Sequence, residues 1–422
     1  MSLAFAPLRI GPLEAAGRVF KTATAETRAS EDGFVTDELI EVYDEWASGG
    51  TPLIITGNLY VSPQGKSTYR MCGVDADDKV PGLARLAQAV HHHGGKLVGQ
   101  LNHCGRQVLR GHTGVDDPVS ASAVSEPTIG TRPRPLRGDE IPGVIEAFAA
   151  AAVRLRDAGF DGVQVHLAHG YLLSQFLTPH TNRRTDEYGG SLENRARLGR
   201  EVVREVRRRV GPNCAVLLKL NGDDRLPGRR GLHIDELVQI ARWLEADGAD
   251  AVEVSNGHYE SGWSMMAGSF DGFHRALAVR GLGQYMNALR RGSMRYAGGL
   301  FDALSRRLWP AQEGFNLDYA RAFKAALRIP VICVGGFHTR TAIETALASG
   351  ATDAVSCARA FIADPWLVEH LRTGVAGPRC DYCNLCLAHA GTGPVDCMNP
   401  IVRAQKEKLR AEKRALSAGG TR

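Results

Sequence analysis

The chain has 422 residues, 44% of them hydrophobic, enough to bury a large core and outside the composition of disordered proteins. Its formal charge of +5 resides in residues 403–422, seven Lys/Arg against two Glu, so the body is neutral, which argues against a nucleic-acid-binding surface spread over the fold. No run of about 18 apolar residues occurs, and the opening "MSLAFAPLRIGPLEAAGRVF" lacks a basic start, apolar core and cleavage site, so a soluble cytoplasmic protein without membrane contact is expected.

Short apolar runs rich in β-branched residues recur along the chain. "RVFKTATA" from Arg18 comes first and precedes the amphipathic "DELIEVYDEWASGG"; "PLIITGNLYV" from Pro52 and "KLVGQLNH" from Lys96 follow. Next come the helical "IPGVIEAFAAAAVRLRDAG", then "DGVQVHLAH" from Asp161 and "AVLLKLNG" from Ala215. "IDELVQIARWLEADGAD" leads into "AVEVSNGHY" from Ala251, and "PVICVGGF" from Pro330 is joined by "TRTAIETALASGATD" to "DAVSCARAF" from Asp353. The helical stretches repeat apolar residues every three or four positions and several end in Gly, a helix stop signal. Strands apolar throughout are covered on both faces, and strand-helix alternation eight times over predicts an α/β fold, a (β/α)8 TIM barrel, over residues 1–375. Neither G-x-G-x-x-G nor a P-loop is found, which counts against an open doubly wound sheet.

Two connections are too long for plain loops: residues 104–140, and residues 259–316 with "YMNALRRGSMRYAGGLFDALSRRLW", which reads as a pair of amphipathic helices. Both follow strands and are expected over the catalytic face, the second as a cap or an oligomer contact. Residues 376–422 form a short C-terminal cysteine-rich extension with a basic tail, expected as a solvated helix.

In such a barrel the C-terminal ends of strands point at the ligand. Those ends supply Thr22, Ala23 and Thr24, then Gly57 and Asn58, Gln100 and His103, His166 and His169, Lys219, and finally Glu253, Asn256 and His258. Gly335-Gly336 and Ala358-Arg359 end the last two strands, where barrels bind phosphate on backbone N–H groups, and Arg359 adds a donor fork. Lys219 closes an apolar strand and needs an anionic partner, either a cofactor's electron-rich edge or Asp223 or Asp224. His166 and His169 are metal ligands, buried structural imidazoles, or donors that grip a carbonyl oxygen, with Tyr171 as general acid.

"QLNHCGRQ", "VQVHLAHGYLLSQFLTPHTNRRTDEYGGSLENRAR", "PVICVGGF" and "DAVSCARAFIADP" together resemble the old yellow enzyme family of FMN-dependent ene-reductases, in the branch of 2,4-dienoyl-CoA reductase and trimethylamine dehydrogenase. The resemblance implies FMN at the barrel mouth, with Thr22, Ala23 and Thr24 along its ring, Gln100 on its pyrimidine edge and Lys219 facing N1 and O2. It further implies that Gly335, Gly336, Ala358 and Arg359 hold the phosphate, that His166 and His169 orient a substrate oxygen, and that Tyr171 protonates. On the same resemblance NADH or NADPH is expected to reduce the flavin, and an activated alkene, an enone, enoate or dienoyl thioester, then to take the same place. Ala25 departs from the pattern, since many members carry Cys or Thr there.

The last cysteines, Cys380, Cys383, Cys386 and Cys397, are spaced C-x2-C-x2-C-x10-C, which suits a [4Fe-4S] cluster, a zinc ion or unligated thiols. In the resembling branch a similar array relays electrons to a second flavin; the sequence ends 25 residues past Cys397, so a separate electron-transfer partner protein is expected. The other reading is an FMN/iron-sulfur dehydrogenase oxidising a small amine or alicyclic substrate. Arginines in residues 128–140 are candidates for the 2′-phosphate of NADPH, and a homo-oligomer is compatible with the composition.

Overall fold

Each of the eight apolar runs forms a strand, and the eight close on one another. The structure, a computed structural model, describes residues 2–109, 111, 113–391 and 393–419. The strands are β1 (Val19–Lys21), β2 (Leu53–Tyr60), β3 (Lys96–Asn102), β4 (Gly162–His166), β5 (Ala215–Asn221), β6 (Ala251–Ser255), β7 (Val331–Val334) and β8 (Ala354–Cys357). All neighbours are parallel, and β8 returns to β1 with Val355 opposite Val19, so the predicted (β/α)8 barrel is present.

Helices α1 (Asp37–Ser48), α2 (Val80–His92), α3 (Ile141–Asp157), α4 (Leu192–Val210), α5 (Ile234–Ala246), α6 (Leu317–Ala326) and α7 (Arg340–Ala348) cover the outside. Their starts are written locally: Thr36, Ser191 and Thr339 each accept a backbone N–H three residues on, satisfying a donor that would otherwise be orphaned.

Inside, Phe20, Leu53, Val98, Leu217 and Ile332 fill the lower barrel. A hairpin of Leu8–Ile10 and Leu13–Ala15 packs Ile10, Leu13 and Ala15 onto that layer and plugs the floor. The upper layer is polar. Register places Gln164 opposite Gln100, and Lys219 opposite both His166 and Glu253, so strand ends that are remote in sequence meet above the apolar floor.

Residues 259–316 do hold two amphipathic helices, Phe273–Val279 and Ala288–Leu308, packed around Phe270, Phe273, Leu277 and Met294. The tail corrects its expectation. Helix Pro400–Gly419 docks on the barrel, with Arg410 forked onto Glu45 at 2.6 and 2.7 Å and Lys413 on Glu369 at 2.6 and 2.7 Å. Lys406 is buried against Asp396 and the Ile362 carbonyl. A buried ammonium needs such partners, and that complementarity turns a basic tail into a docked one. No helix among the described residues is long and apolar enough to cross a membrane.

Candidate active site

A cavity of about 330 Å³ opens at the C-terminal ends of the strands. It is lined by Thr22, Ala23, Thr24, Gln100, His166, His169, Tyr171, Lys219, Gly336, Ala358 and Arg359, so all but one of the predicted catalytic and cofactor residues meet there. Gly335 is the exception: it faces the backbone of residues 314–316, with Asn316 N 3.2 Å from where a Cβ would stand. Ala25, Asn58 and Asn256 also line the cavity, as do Met265, Met266 and Asn316 from the second long connection. None of the described residues in 104–140 does; Arg106 there is buried against Glu260, and Thr131 against the Val108 carbonyl, which ties that connection to the body.

The floor of the cavity is a chain of hydrogen bonds. Gln100 Nε2 donates to Gln164 Oε1 at 2.6 Å, Gln164 Nε2 to Glu253 Oε2 at 3.0 Å, and Lys219 Nζ to the same carboxylate oxygen at 2.7 Å and to Thr22 Oγ1 at 3.0 Å. Ser356 Oγ occupies the other Glu253 oxygen at 2.6 Å. Lys219 therefore pairs with Glu253 and not with Asp223 or Asp224; Asp224 is turned to Asn221 and the Leu232 N–H. Burial raises the Glu253 carboxyl, but Lys219, Ser356 and Thr22 more than offset it, and Glu253 stays below the usual carboxylate range. Gln164 and Ser356 are invisible to a search for strand ends. The alternation of side chains is the signal that finds Gln164, since it shares the inward face of β4 with His166.

A second buried cation escaped the sequence reading. Lys21 lies beneath the cavity-lining segment, donating to the Thr22 carbonyl at 2.6 Å and to Thr24 Oγ1 at 2.8 Å, over the Trp46 ring at 4.2 Å. Burial pulls its ammonium down to about 8, against the opposing pull of Glu26 and Glu253.

His166 and His169 stand edge to face, ring centroids 5.1 Å apart, and the Tyr171 ring is 4.9 Å from His166. The geometry comes from a left-handed turn, His169 at φ 60° and Gly170 at φ 76°, the first costing strain in any residue with a Cβ. Gln107 and Gln175 clamp it, each donating to the Gly170 carbonyl at 2.7 Å, while Gln107 and Tyr259 N–H hold the His169 carbonyl at 3.0 and 3.1 Å. His166 Nδ1 accepts the Ala168 N–H at 3.2 Å, which assigns its proton to Nε2. His169 Nε2 is 2.8 Å from Ser255 Oγ.

Burial, then the neighbouring His169 and Lys219, pushes His166 well below its ordinary value, and burial with Lys219 takes His169 to about 3. Both imidazoles are neutral donors near pH 7. Burial raises the Tyr171 phenol, helped by Cys104, so it keeps its proton. No carboxylate joins the two histidines, and among the described residues no group of three or more His, Cys, Asp or Glu is arranged to hold a metal ion. The metal-ligand reading of the histidines therefore falls.

Arg359 turns one guanidinium nitrogen to the Ala267 carbonyl at 2.7 Å and to Asn384, and lies 5.1 Å over the Tyr382 ring. Asn256 Oδ1 is buried in the cavity wall without a hydrogen-bond partner among the described residues, an acceptor left for a ligand. A polar-floored cavity with an orphaned acceptor fits a flavin nucleotide.

Cys380 and Cys386 line the same cavity, and the charges of Cys380 and Cys397 both act on Cys386. Four neighbouring thiols suit a cluster by donor chemistry. Among the described residues no group of three or more His, Cys, Asp or Glu is arranged to hold a metal ion.

A protein-family model described as "NADH:flavin oxidoreductase / NADH oxidase family" matches residues 3–269. The chain is 34% identical over 384 residues to an NADH oxidase of Thermoanaerobacter brockii, covering 90% of this chain but about half, 52%, of that relative. It is 35% identical over 394 residues to a 4,4′-dithiodibutanoate disulfide reductase of Rhodococcus erythropolis, covering 92% and 93% of the two chains. A solved 2-naphthoyl-CoA reductase in complex with 2-naphthoyl-CoA superposes with a TM-score of 0.80 at 26% identity, over 96% of this chain and 58% of that one. The chain belongs to the NADH:flavin oxidoreductase / NADH oxidase family, the old yellow enzyme family.

Proposed function

We propose that this protein is an FMN-dependent NAD(P)H oxidoreductase that reduces an alkene conjugated to a carbonyl or thioester. The observation that carries the reading is the pair of neutral imidazoles beside a protonated phenol in one cavity. Gln100, Lys219 and the Thr22–Ala25 segment would hold the flavin ring, and Gly336, Ala358 and Arg359 its phosphate. Bound FMN would supply the hydride, taken from the nicotinamide and delivered to the substrate's β carbon.

The chain's own groups do the rest. His166, through its Nε2–H, and His169 hold the substrate oxygen and stabilise the negative charge that develops there. Neutral donors suit this task, because an imidazolium would be costly in so buried a place. Tyr171 moves its hydroxyl proton to the α carbon; raised by burial, the phenol holds that proton until the developing carbanion takes it. Lys219, held by Glu253, would present its ammonium to the flavin from the floor.

Anaerobic spectroscopy tests the reading. The purified protein should carry flavin absorbance that bleaches on adding NADPH or NADH and recovers on adding cyclohexenone. Absence of flavin, or bleaching without recovery across enones, enoates and dienoyl thioesters, overturns it.

A second reading concerns the thiols. The mutual proximity of Cys380, Cys386 and Cys397, the first two at the cavity wall, favours a [4Fe-4S] cluster closed by Cys383, passing electrons to a separate partner protein. Iron and sulfide analysis after anaerobic purification decides it, and zinc in their place overturns it.

A further inference from the structure

The strained turn that carries His169 is held from two connections that are remote in sequence. Its carbonyls are gripped by Gln107, from the connection after β3, and by the Tyr259 N–H, from the connection after β6. The residue before Gln107 is Arg106, and the residue after Tyr259 is Glu260. Those two form an ion pair across 154 residues of chain, with side-chain exposures of 0% and 2%.

We propose that Arg106 and Glu260 are positioning residues: their buried ion pair locks the His169-Gly170 turn, and with it the aim of both imidazoles at the substrate oxygen. The inference rests on the reading of the reaction given above, and it adds two residues that do not line the cavity.

Each partner reaches the turn by a short path. The Arg106 N–H donates to Gln175 Oε1 at 3.3 Å, which sets the Gln175 amide so that its Nε2 meets the Gly170 carbonyl at 2.7 Å. On the other side the Glu260 N–H donates to His258 Nδ1 at 3.3 Å. The His258 ring backs Gly170, its Nε2 standing 2.4 Å from where a Cβ would be. One ion pair thus ties together the four groups that enclose the turn: Gln107, Gln175, Tyr259 and His258.

The pair is itself anchored, so it holds its place instead of following the turn. Arg106 also donates to the Val124 and Ser125 carbonyls at 3.0 and 2.8 Å, and Glu260 meets His180 Nε2 at 3.1 Å and the Arg229 guanidinium. Burial raises the Glu260 carboxyl, but His180 and Arg106 outweigh it and bring it down to about 2, so it stays ionised around neutral pH.

The backbone explains why a lock is needed. His169, at φ 60°, lies where a residue with a Cβ is strained, and such a residue stays there only when its surroundings over-determine it. His166 is coupled to the same turn, because its Nδ1 takes the Ala168 N–H at 3.2 Å. Relaxation of the turn moves both donors off the oxygen they hold, and a misplacement of about 1 Å is enough to cost roughly 10²-fold in rate.

The test compares flavin-loaded wild type with Glu260→Gln and with the double variant Arg106→Met, Glu260→Met. The double variant leaves neither charge of the pair buried alone, which separates positioning from folding. In both variants deuterium uptake over residues 167–172 should quicken at least about tenfold, while β5 and helix Ala288–Leu308 exchange as in wild type. Reoxidation of the reduced flavin by cyclohexenone should slow roughly 10- to 100-fold. Reoxidation by ferricyanide, which takes electrons without an oxygen for the imidazoles to hold, should change less than about twofold. Unchanged exchange at the turn, an unchanged enone rate, or equal slowing with both acceptors overturns the lock. If enones fail to reoxidise the wild-type flavin, the reading of the reaction fails, and exchange at the turn alone decides the lock.

Discussion

Lys219 Nζ lies 2.7 Å from Glu253 Oε2, and both side chains are almost wholly buried at the floor of the active-site cavity. The pair sits on adjacent strands in direct register. It lets a cation stand beneath the cavity without the desolvation cost of an isolated charge.

Removing the anion should expose that cost. Glu253→Gln leaves Lys219 buried beside a neutral amide, and about 3–5 kcal/mol of stability should be lost. Urea unfolding of the flavin-loaded protein measures it. An unchanged midpoint would mean that Lys219 finds other partners.

Tyr171 is assigned the proton transfer and not the binding of the nicotinamide. In Tyr171→Phe, reoxidation of the reduced flavin by an enone should slow by roughly 10²- to 10⁴-fold. Reduction of the flavin by NADPH, followed by stopped flow, should change little. A parallel loss in both half-reactions would make the tyrosine a positioning group.

The buried imidazoles predict a direction for stability against pH. His169 titrates near 3 in the folded protein and near 6.5 when unfolded, and His166 is likewise well below its ordinary value. Between those limits the unfolded chain binds protons that the native one does not, so stability falls as pH falls from 6.5 toward 3. Each imidazole contributes up to about 1.4 kcal/mol per pH unit in that window. His103 and His258 add to the slope in the same sense, being lowered to about 4 and about 3 by burial. The double variant His166→Asn, His169→Asn should show a shallower loss in unfolding experiments from pH 7 to pH 4, and an identical slope would show that the two are not neutral in the native state.

Gly170 tests the strained turn that sets the histidines. An alanine there would place Cβ 2.4 Å from His258 Nε2 at a φ of 76°. Gly190 has a similar φ, 79°, but open space around it. Gly170→Ala should cost about 1–3 kcal/mol more than Gly190→Ala, because only the first adds a clash to the strain. Equal thermal shifts for the two would show that His258 moves aside freely.

Much was decided by the sequence itself. Eight apolar runs separated by helices of 3.6-residue period leave few ways to bury both faces of each strand, and the barrel followed. His166, His169, Tyr171, Gln100 and Lys219 were legible because side chains at strand ends in such a barrel converge on one mouth. What the sequence could not decide were pairings between residues far apart along the chain. That Lys219 meets Glu253 rather than the nearby Asp224, and that Gln164 bridges to Gln100, depends on strand register and on which face each side chain takes. The docking of the basic tail and the buried Lys21 likewise come from surfaces that exist only once the chain is folded. Local periodicity fixes elements; desolvation and partner geometry in three dimensions fix which charges are satisfied and which remain free to meet a ligand.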